Sequence, residues 1–290
     1  MKIRKGRKLN RRLNRSLGGD VAINSILFIS GLFMLLPIIY SISSSLKPLD
    51  ELWIYPPRFF VRNPTMKNYT DLFSILSGSR VPFTRYVFNT IFISVVGTLG
   101  HVILSSMCAY ALCKHRFRGR NIIFNIIVLS LMFSTAVTTI PNFIIMSELK
   151  WVDTLASLII PAFGSSLGLY LMKQFMEQMI PDSVLEAARI DGAGEFLIFS
   201  RIVMPMVKPA WLTLIIFSFQ GLWNMGPTTY IFREDLKTLN YAMSQILAGG
   251  VTRVGASAAA SVIMMIVPVT LFVLTQSSIV ETLSISGMKE

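Results

Sequence analysis

From Val21 to Leu46 the chain carries no Asp, Glu, Lys, Arg or His, and runs of this kind recur along its length. No other feature restricts the fold as tightly. As a helix, a stretch of about 20 apolar residues matches the hydrocarbon thickness of a bilayer, and in lipid every backbone N–H and C=O has to be satisfied within that helix. Six segments meet the test, at approximately 21–46, 86–112, 121–147, 154–173, 209–232 and 254–280. They are nearly free of charged side chains, with His101 near the middle of the second. The expected fold class is therefore all-α, a polytopic membrane helix bundle with six transmembrane helices. Composition agrees: 14% of residues are charged, against roughly 25% in a soluble domain.

The net charge of +12 is unevenly placed, with eight cations in the leader "MKIRKGRKLNRRLNR". Such a cluster suits an anionic membrane surface. Nucleic acid is not expected, because there is no folded basic module and no aromatic interleaving. The uncharged run that follows is longer than the core of a cleaved signal and reads as a retained span. Lys and Arg in short loops set orientation. Lys114, Arg116, Arg118 and Arg120 of "CKHRFRGR" join the leader on one side. An even span count then places both termini, this loop and the segment 181–205 in the cytoplasm. The stretch Lys47–Arg85, with Pro48, Pro56, Pro57, Pro64 and Pro82, reads as a folded extracytoplasmic segment, and Arg233–Arg253 as an outer region returning partway into the membrane. The chain divides into a basic tail, 1–20, and one transmembrane domain, 21–290. Cys108 and Cys113 fit neither a CxxC redox pair nor a zinc pattern and read as packed thiols.

One polar stretch stands between two spans: "LEAARIDGAGEFLIFSRIVMPMVKPA", Leu185–Ala210. Pro181, Asp182 and Ser183 stop one helix and start another, and Ser183 with Glu186 has the spacing of a capping box. Gly192, free to take positive φ, suits the end of that helix. "EFLIFSRIVMP" reads as a second short helix leading to the next span at Pro205 and Pro209. The product is a compact helix-turn-helix outside the bilayer, with Ala187 and Ala188 permitting close approach of a partner.

Glu186, Ala187 and Ala188, then Gly192, then Ile202, Met204 and Pro205 resemble the EAA loop of bacterial ABC import permeases, with Met204 where leucine is usual. "YPPRFFVRNPTMKNY" (55–69), "AYALCKHRFRGR" (109–120), the Trp-Asn of "WNMGPTTYI" (223–231) and the ending with Gln276, Gly287 and Lys289 are similar to the smaller permease of maltose-type sugar importers. That resemblance implies a type I importer permease in a bacterial plasma membrane. It also implies partners: a second homologous permease chain, two ATPase subunits that bind ATP and Mg, and an extracytoplasmic solute-binding protein. The ATPase-coupling residues it implies are Ser183, Glu186, Ala187, Ala188, Arg189, Asp191, Gly192, Ala193, Ile202 and Pro205.

The chain itself is not expected to be an enzyme or to hold a cofactor or metal. It lacks G-x-x-x-x-G-K-[ST], and "GASAAAS" (255–261) reads as helix-packing surface. A secondary transporter driven by ions is the alternative, with His101 as its only candidate ionisable relay. Polar and aromatic groups within the expected spans mark a candidate sugar path: Asn142, Ser165, Ser166, Gln220, Trp223, Asn224 and Tyr230.

Overall fold

The computed structural model describes residues 17–78, 81–250 and 253–286. Residues 1–16 of the basic tail, and the resemblances at Gly287 and Lys289, lie outside the described residues. All regular structure among the described residues is helical. Four helices there are long and apolar enough to cross a membrane: Gly18–Ser45, Phe83–Lys114, Ala156–Met179 and Val254–Gln276. A fifth candidate is the bent pair Glu195–Met206 and Lys208–Trp223, which meet at 79°.

In chain order the helices are α1 (Leu17–Ser45), α2 (Leu49–Leu52), α3 (Lys67–Ser77), α4 (Phe83–Lys114), α5 (Arg120–Ser130), α6 (Thr135–Glu148), α7 (Ala156–Phe163) and α8 (Ser166–Met179). There follow α9 (Asp182–Ile190), α10 (Glu195–Met206, with a π turn at Phe199–Val203), α11 (Lys208–Trp223), α12 (Leu239–Ala248) and α13 (Val254–Ser286).

Two expected spans need correction. The segment 121–147 is not one helix, because Leu131–Ser134 leaves the helical path and divides it into α5 and α6. Ser134 is extended (φ −73°, ψ 150°), and Ser130 turns its hydroxyl back onto the Ile127 carbonyl. The segment 209–232 is helical only to Trp223. Gly226-Pro227 follows at once, and the residue before a proline avoids the helical region. The fourth span also extends past its expected edge, to Met179, so Lys173 lies well inside a helix.

The long helix α4 is the hub, packed against α7, α8 and α11. Close approach depends on residues without a side chain: a Cβ on Gly100 would lie 2.1 Å from the Phe163 ring, and one on Gly168 1.8 Å from His101 Nε2. His101 is buried, bonded to the backbone of Ala162, with Nε2 unpartnered. Helix α1 packs mainly on α13 and leaves Phe28 and Phe33 72% exposed. An apolar surface of that extent is stable only against lipid or another chain. The segment after α1 is folded as expected: Asn68 Nδ2 donates to the Ser45 and Lys47 carbonyls at 2.8 and 2.7 Å, and the Glu51 carboxylate accepts the Arg62 amide at 2.9 Å. Helix α12, in the region expected to return into the membrane, packs with α3 and α13 around Leu72, Met243 and Ala259.

Candidate functional site

The polar stretch forms a knuckle at one end of the bundle. Pro181 (φ −67°, ψ 138°) precedes α9, whose first residue is Asp182. That start, two residues earlier than expected, puts Ser183 inside the first turn, so the capping box of Ser183 and Glu186 does not form; no side chain caps this end. Helix α4 holds it instead. Lys114 Nζ donates to the Ile180 carbonyl and to Asp182 Oδ1, both at 2.7 Å. The ammonium keeps the Asp182 carboxyl below the usual carboxylate range.

Helix α9 presents two faces. Leu185 and Ala188 turn inward, into a core that includes Met172, Met176, Ile198 and Val203. Ala188 is thus a packing residue rather than a partner-facing one, and the alanine pair is split. Glu186, Ala187 and Arg189 face outward, as does Ile190, which is 86% exposed. The helix ends as the glycine implies. Gly192 has φ +80°, its amide donates to the Arg189 carbonyl at 3.0 Å, and the Ala193 amide donates to the Ala188 carbonyl at 3.0 Å. These two bonds define a Schellman closure, which a left-handed residue makes possible.

A second clamp joins the turn to α4. Arg189 Nε donates to Glu195 Oε1 at 2.7 Å, and the buried Tyr110 hydroxyl donates to Glu195 Oε2 at 2.6 Å. His115 Nε2 lies 3.4 Å from the same carboxylate, and its ring meets Tyr110 edge-on. Beyond Glu195 comes the π turn, a feature frequent at functional sites, with Ile202 half-buried and Pro205 exposed. The Trp211 indole then ties the 79° bend by donating to the Met204 carbonyl at 3.0 Å. A cavity of about 710 Å³, lined by Lys114, Arg116, Arg120, Glu177, Asp182 and Glu186 among others, opens beside α9. The knuckle is thus tied to α4 at Asp182 and Glu195 and to the core through Leu185, Ala188, Ile198 and Val203, while the outward side of α9 stays exposed.

Sequence reasoning missed Tyr110, Lys114, His115, Asp182 and Glu195 as parts of this site. Lys114 was legible only as a topology signal, and nothing local links Tyr110 to a carboxylate 85 positions away.

The candidate path residues are dispersed. Asn142 is exposed on α6, and Ser165 precedes α8 in extended conformation. Ser166 bonds Ser130 at 2.6 Å. Gln220 is half-buried on α11, and Trp223 is buried, its Nε1 donating to the Met264 carbonyl at 3.1 Å. Asn224 and Tyr230 lie beyond the helix: the Asn224 carbonyl accepts from Asn240, and the Tyr230 ring stacks on Phe143. Among the described residues no side-chain hydrogen bond or ring contact links any two of Asn142, Ser165, Gln220, Trp223, Asn224 and Tyr230.

Residues 101–283 match the family described as binding-protein-dependent transport system inner membrane component. The chain belongs to this family. The permease is 32% identical to Protein LplC of Bacillus subtilis (strain 168) over 218 residues, 73% of this chain and 70% of that one. It is 28% identical to the arabinooligosaccharides transport system permease protein AraQ of the same organism, over 93% of this chain and 95% of its relative. The sn-glycerol-3-phosphate transport system permease protein UgpE of Shigella flexneri is 32% identical over 70% of this chain and 73% of its own. A crystal structure of a bacterial ABC transporter involved in the import of the acidic polysaccharide alginate superposes with TM-score 0.76 at 24% identity, covering 91% of the permease and 98% of that chain. The fold is thus that of an ABC importer permease, a multi-pass membrane transport subunit. The knuckle lies wholly inside the matched region.

Proposed function

We infer that this permease forms, with a second homologous chain, the pore of an importer that carries a sugar or oligosaccharide across a bacterial plasma membrane. Two separate ATPase subunits bind ATP and Mg and drive it from the cytoplasm, and an extracytoplasmic solute-binding protein delivers the solute. Both termini and the knuckle face the cytoplasm, in keeping with the basic leader and the cations of 113–120. Glu186, Ala187 and Ile190 meet the ATPase, while Arg189, Asp191, Gly192 and Ala193 hold the shape that presents them. Asn142, Ser165, Gln220, Trp223, Asn224 and Tyr230 are candidate groups along the solute path.

The observation that carries this reading is the exposed side of α9 on a knuckle clamped twice to α4. A push there cannot be absorbed by the loop and is delivered to the longest helix of the hub. Rigid rocking of bundles about a central site then alternates access. Family membership disfavours an ion-coupled carrier, and the relatives named for arabinooligosaccharides and polygalacturonan/rhamnogalacturonan favour a carbohydrate.

Deleting the chain in its native host and screening uptake of labelled oligosaccharides tests the assignment. Loss of ATP-dependent uptake of one sugar, restored by the wild-type chain, is expected, together with copurification of an ATPase. Uptake that follows the proton gradient and needs no ATPase would contradict it.

A further inference from the structure

The link between α4 and α5, "CKHRFRGR", carries more cations than its own contacts use. Lys114 is committed to Ile180 and Asp182, and Arg120 reaches Glu177 only at 3.9 Å. Arg116 and Arg118 are exposed and make no hydrogen bond or ion pair among the described residues. An open groove of about 480 Å³ runs along this link, walled by Arg116, Phe117, Gly119, Arg120, Asn121 and Ile122. It adjoins the cavity beside α9, with which it shares Arg116 and Arg120. The two differ in charge. In the cavity beside α9 the cations stand among the carboxylates of Glu177, Asp182, Glu186 and Glu195. Among the described residues no carboxylate lines the groove.

The groove is also amphipathic along its length. At the end nearer α4 stand the two guanidiniums, and Gly119, at φ +87°, begins α5 with no side-chain cap. The uncapped first turn of a helix carries partial positive charge. From Ile122 onward the wall turns apolar: Ile122, Ile126 and Leu129 are 67%, 61% and 55% exposed, at the i, i+4, i+7 spacing of one helix face. Helix α5 has no buried residue and packs mainly on α8, which leaves that face without a partner in the chain. The change from basic to apolar falls at residue 121, where the third expected span begins. Orientation by Lys and Arg requires only cations in a short loop. It does not require a groove free of carboxylates that abuts an exposed apolar face.

We propose that this groove binds an anionic phospholipid of the cytoplasmic leaflet, its phosphate held by Arg116 and Arg120 and its acyl chains lying along Ile122, Ile126 and Leu129. A guanidinium meets a phosphate with two parallel N–H donors, and the Asn121 amide can bond the hydroxyls of a glycerol headgroup. Basic pockets beside membrane helices on the cytoplasmic side suit such lipids. A zwitterionic lipid fits less well, because it brings an ammonium to a wall that already holds two cations and no carboxylate. A soluble phosphate would meet the cations and gain nothing from the apolar face. The groove lies directly after Lys114, so a bound lipid ties the clamped end of α4 to the bilayer surface. From the function proposed above the site takes only the cytoplasmic placement of the link.

The test reads the lipid in place. A photoreactive benzophenone amino acid replaces Ile126 in the complete importer, which is held in nanodiscs of phosphatidylcholine with increasing fractions of phosphatidylglycerol. After irradiation, mass spectrometry identifies the molecule joined to position 126. Phosphatidylglycerol is expected well in excess of its share of the bilayer. Arg116→Gln with Arg120→Gln should lower that preference by at least about fivefold, the contribution of one surface cation. Arg201→Gln with Lys208→Gln, which removes two exposed cations that wall neither the groove nor the adjoining cavity, should leave it unchanged. Adducts of the two lipids in proportion to their abundance, an equal fall in the second pair of substitutions, or an adduct with a protein subunit in place of lipid would each overturn the site. Displacement of the phosphatidylglycerol adduct by inorganic phosphate at constant ionic strength would overturn it in favour of a soluble anion. Because the readout needs no transport, its failure leaves the importer assignment standing, and a failed uptake screen leaves the lipid site standing.

Discussion

Replacing Gly192 by valine separates the backbone of the knuckle from its surface. The residue sits at φ +80°, and a Cβ added there would meet no atom within 4 Å. The penalty is therefore conformational and owes nothing to crowding. Holding an L-residue in the left-handed region costs about 1–2 kcal/mol, with β-branched residues at the upper end. Escape to negative φ gives up the Gly192 and Ala193 amide bonds to Arg189 and Ala188, each worth about 1 kcal/mol net. By either route the native knuckle loses about 2 kcal/mol, roughly a thirtyfold fall in its population relative to alternatives. Asparagine, which tolerates the left-handed region, loses only a few tenths of a kcal/mol. In proteoliposomes holding the assembled importer, Gly192→Val is expected to insert normally yet lower sugar import by about tenfold or more, while Gly192→Asn stays within about threefold of wild type. Equal defects in the two variants would refute the reasoning, because they would trace the effect to the presence of any side chain and not to the sign of φ.

Other expectations follow from the clamps and the packing. Glu195→Ala takes the acceptor from the buried Tyr110 hydroxyl and the carboxylate from Arg189, leaving only the Tyr110–Arg189 contact, at about 1–3 kcal/mol, whereas Tyr110→Phe removes donor and bond together and costs about 1 kcal/mol; thermal unfolding in detergent should rank them so, with import per ATP falling in the same order. Gly168→Ala drives a methyl against His101 Nε2 and Leu214 and should destabilise the bundle by about 1–3 kcal/mol; adding His101→Ala should recover part of the loss, and strict additivity would contradict the contact. Asp153 holds the Phe232 and Arg233 amides at 2.7 and 2.8 Å while itself at φ +62°, so Asp153→Gly should loosen the α11–α12 connection and raise its amide exchange, and unchanged exchange would count against the clasp. The Arg233 and Phe232 amides hold the Asp153 carboxyl below its ordinary value, as Lys114 does for Asp182. A depressed folded pKa means a contribution present above the unfolded value, about 4 for aspartate, and lost as pH falls through the folded value. Melting temperature should thus be insensitive to these two groups from about pH 5 upward and fall below about pH 4, with a smaller acid fall in Asp153→Asn.

Much of the fold could be read from apolar run length alone, because lipid leaves a spanning backbone few alternatives to the helix. That criterion placed α1, α4 and α13 well. It failed where composition stays apolar but the backbone turns. "LMFS" interrupts 121–147 without a single charge, and the same holds for Gly226-Pro227 in the fifth segment. Within the knuckle, Pro181, Gly192 and the start of α10 at Glu195 were legible because each is a local backbone constraint. The S-x-x-E pattern puts the N-cap at Ser183, two residues late, since Pro181 takes that place and the helix begins at Asp182. The pattern alone does not fix which side of a nine-residue helix meets the core; in the structure Leu185 and Ala188, three apart, form that side. The clamps were invisible for a different reason. Lys114 and Tyr110 find their partners 66 to 85 positions along the chain, and pairings at that separation are set by how the helices pack. Lys173 closes the apolar run 154–173, and only the continuation of α8 to Met179 places it inside the candidate span.

A photoreactive residue at position 190 tests the central claim most directly. Ile190 is the most exposed apolar side chain of α9, and its substitution disturbs no clamp. In inside-out vesicles, irradiation should join the permease to an ATP-hydrolysing subunit, and a membrane-impermeant maleimide should reach Ile190→Cys from the cytoplasmic face alone. An adduct with no ATPase in it, or labelling from the outer face, would contradict the account.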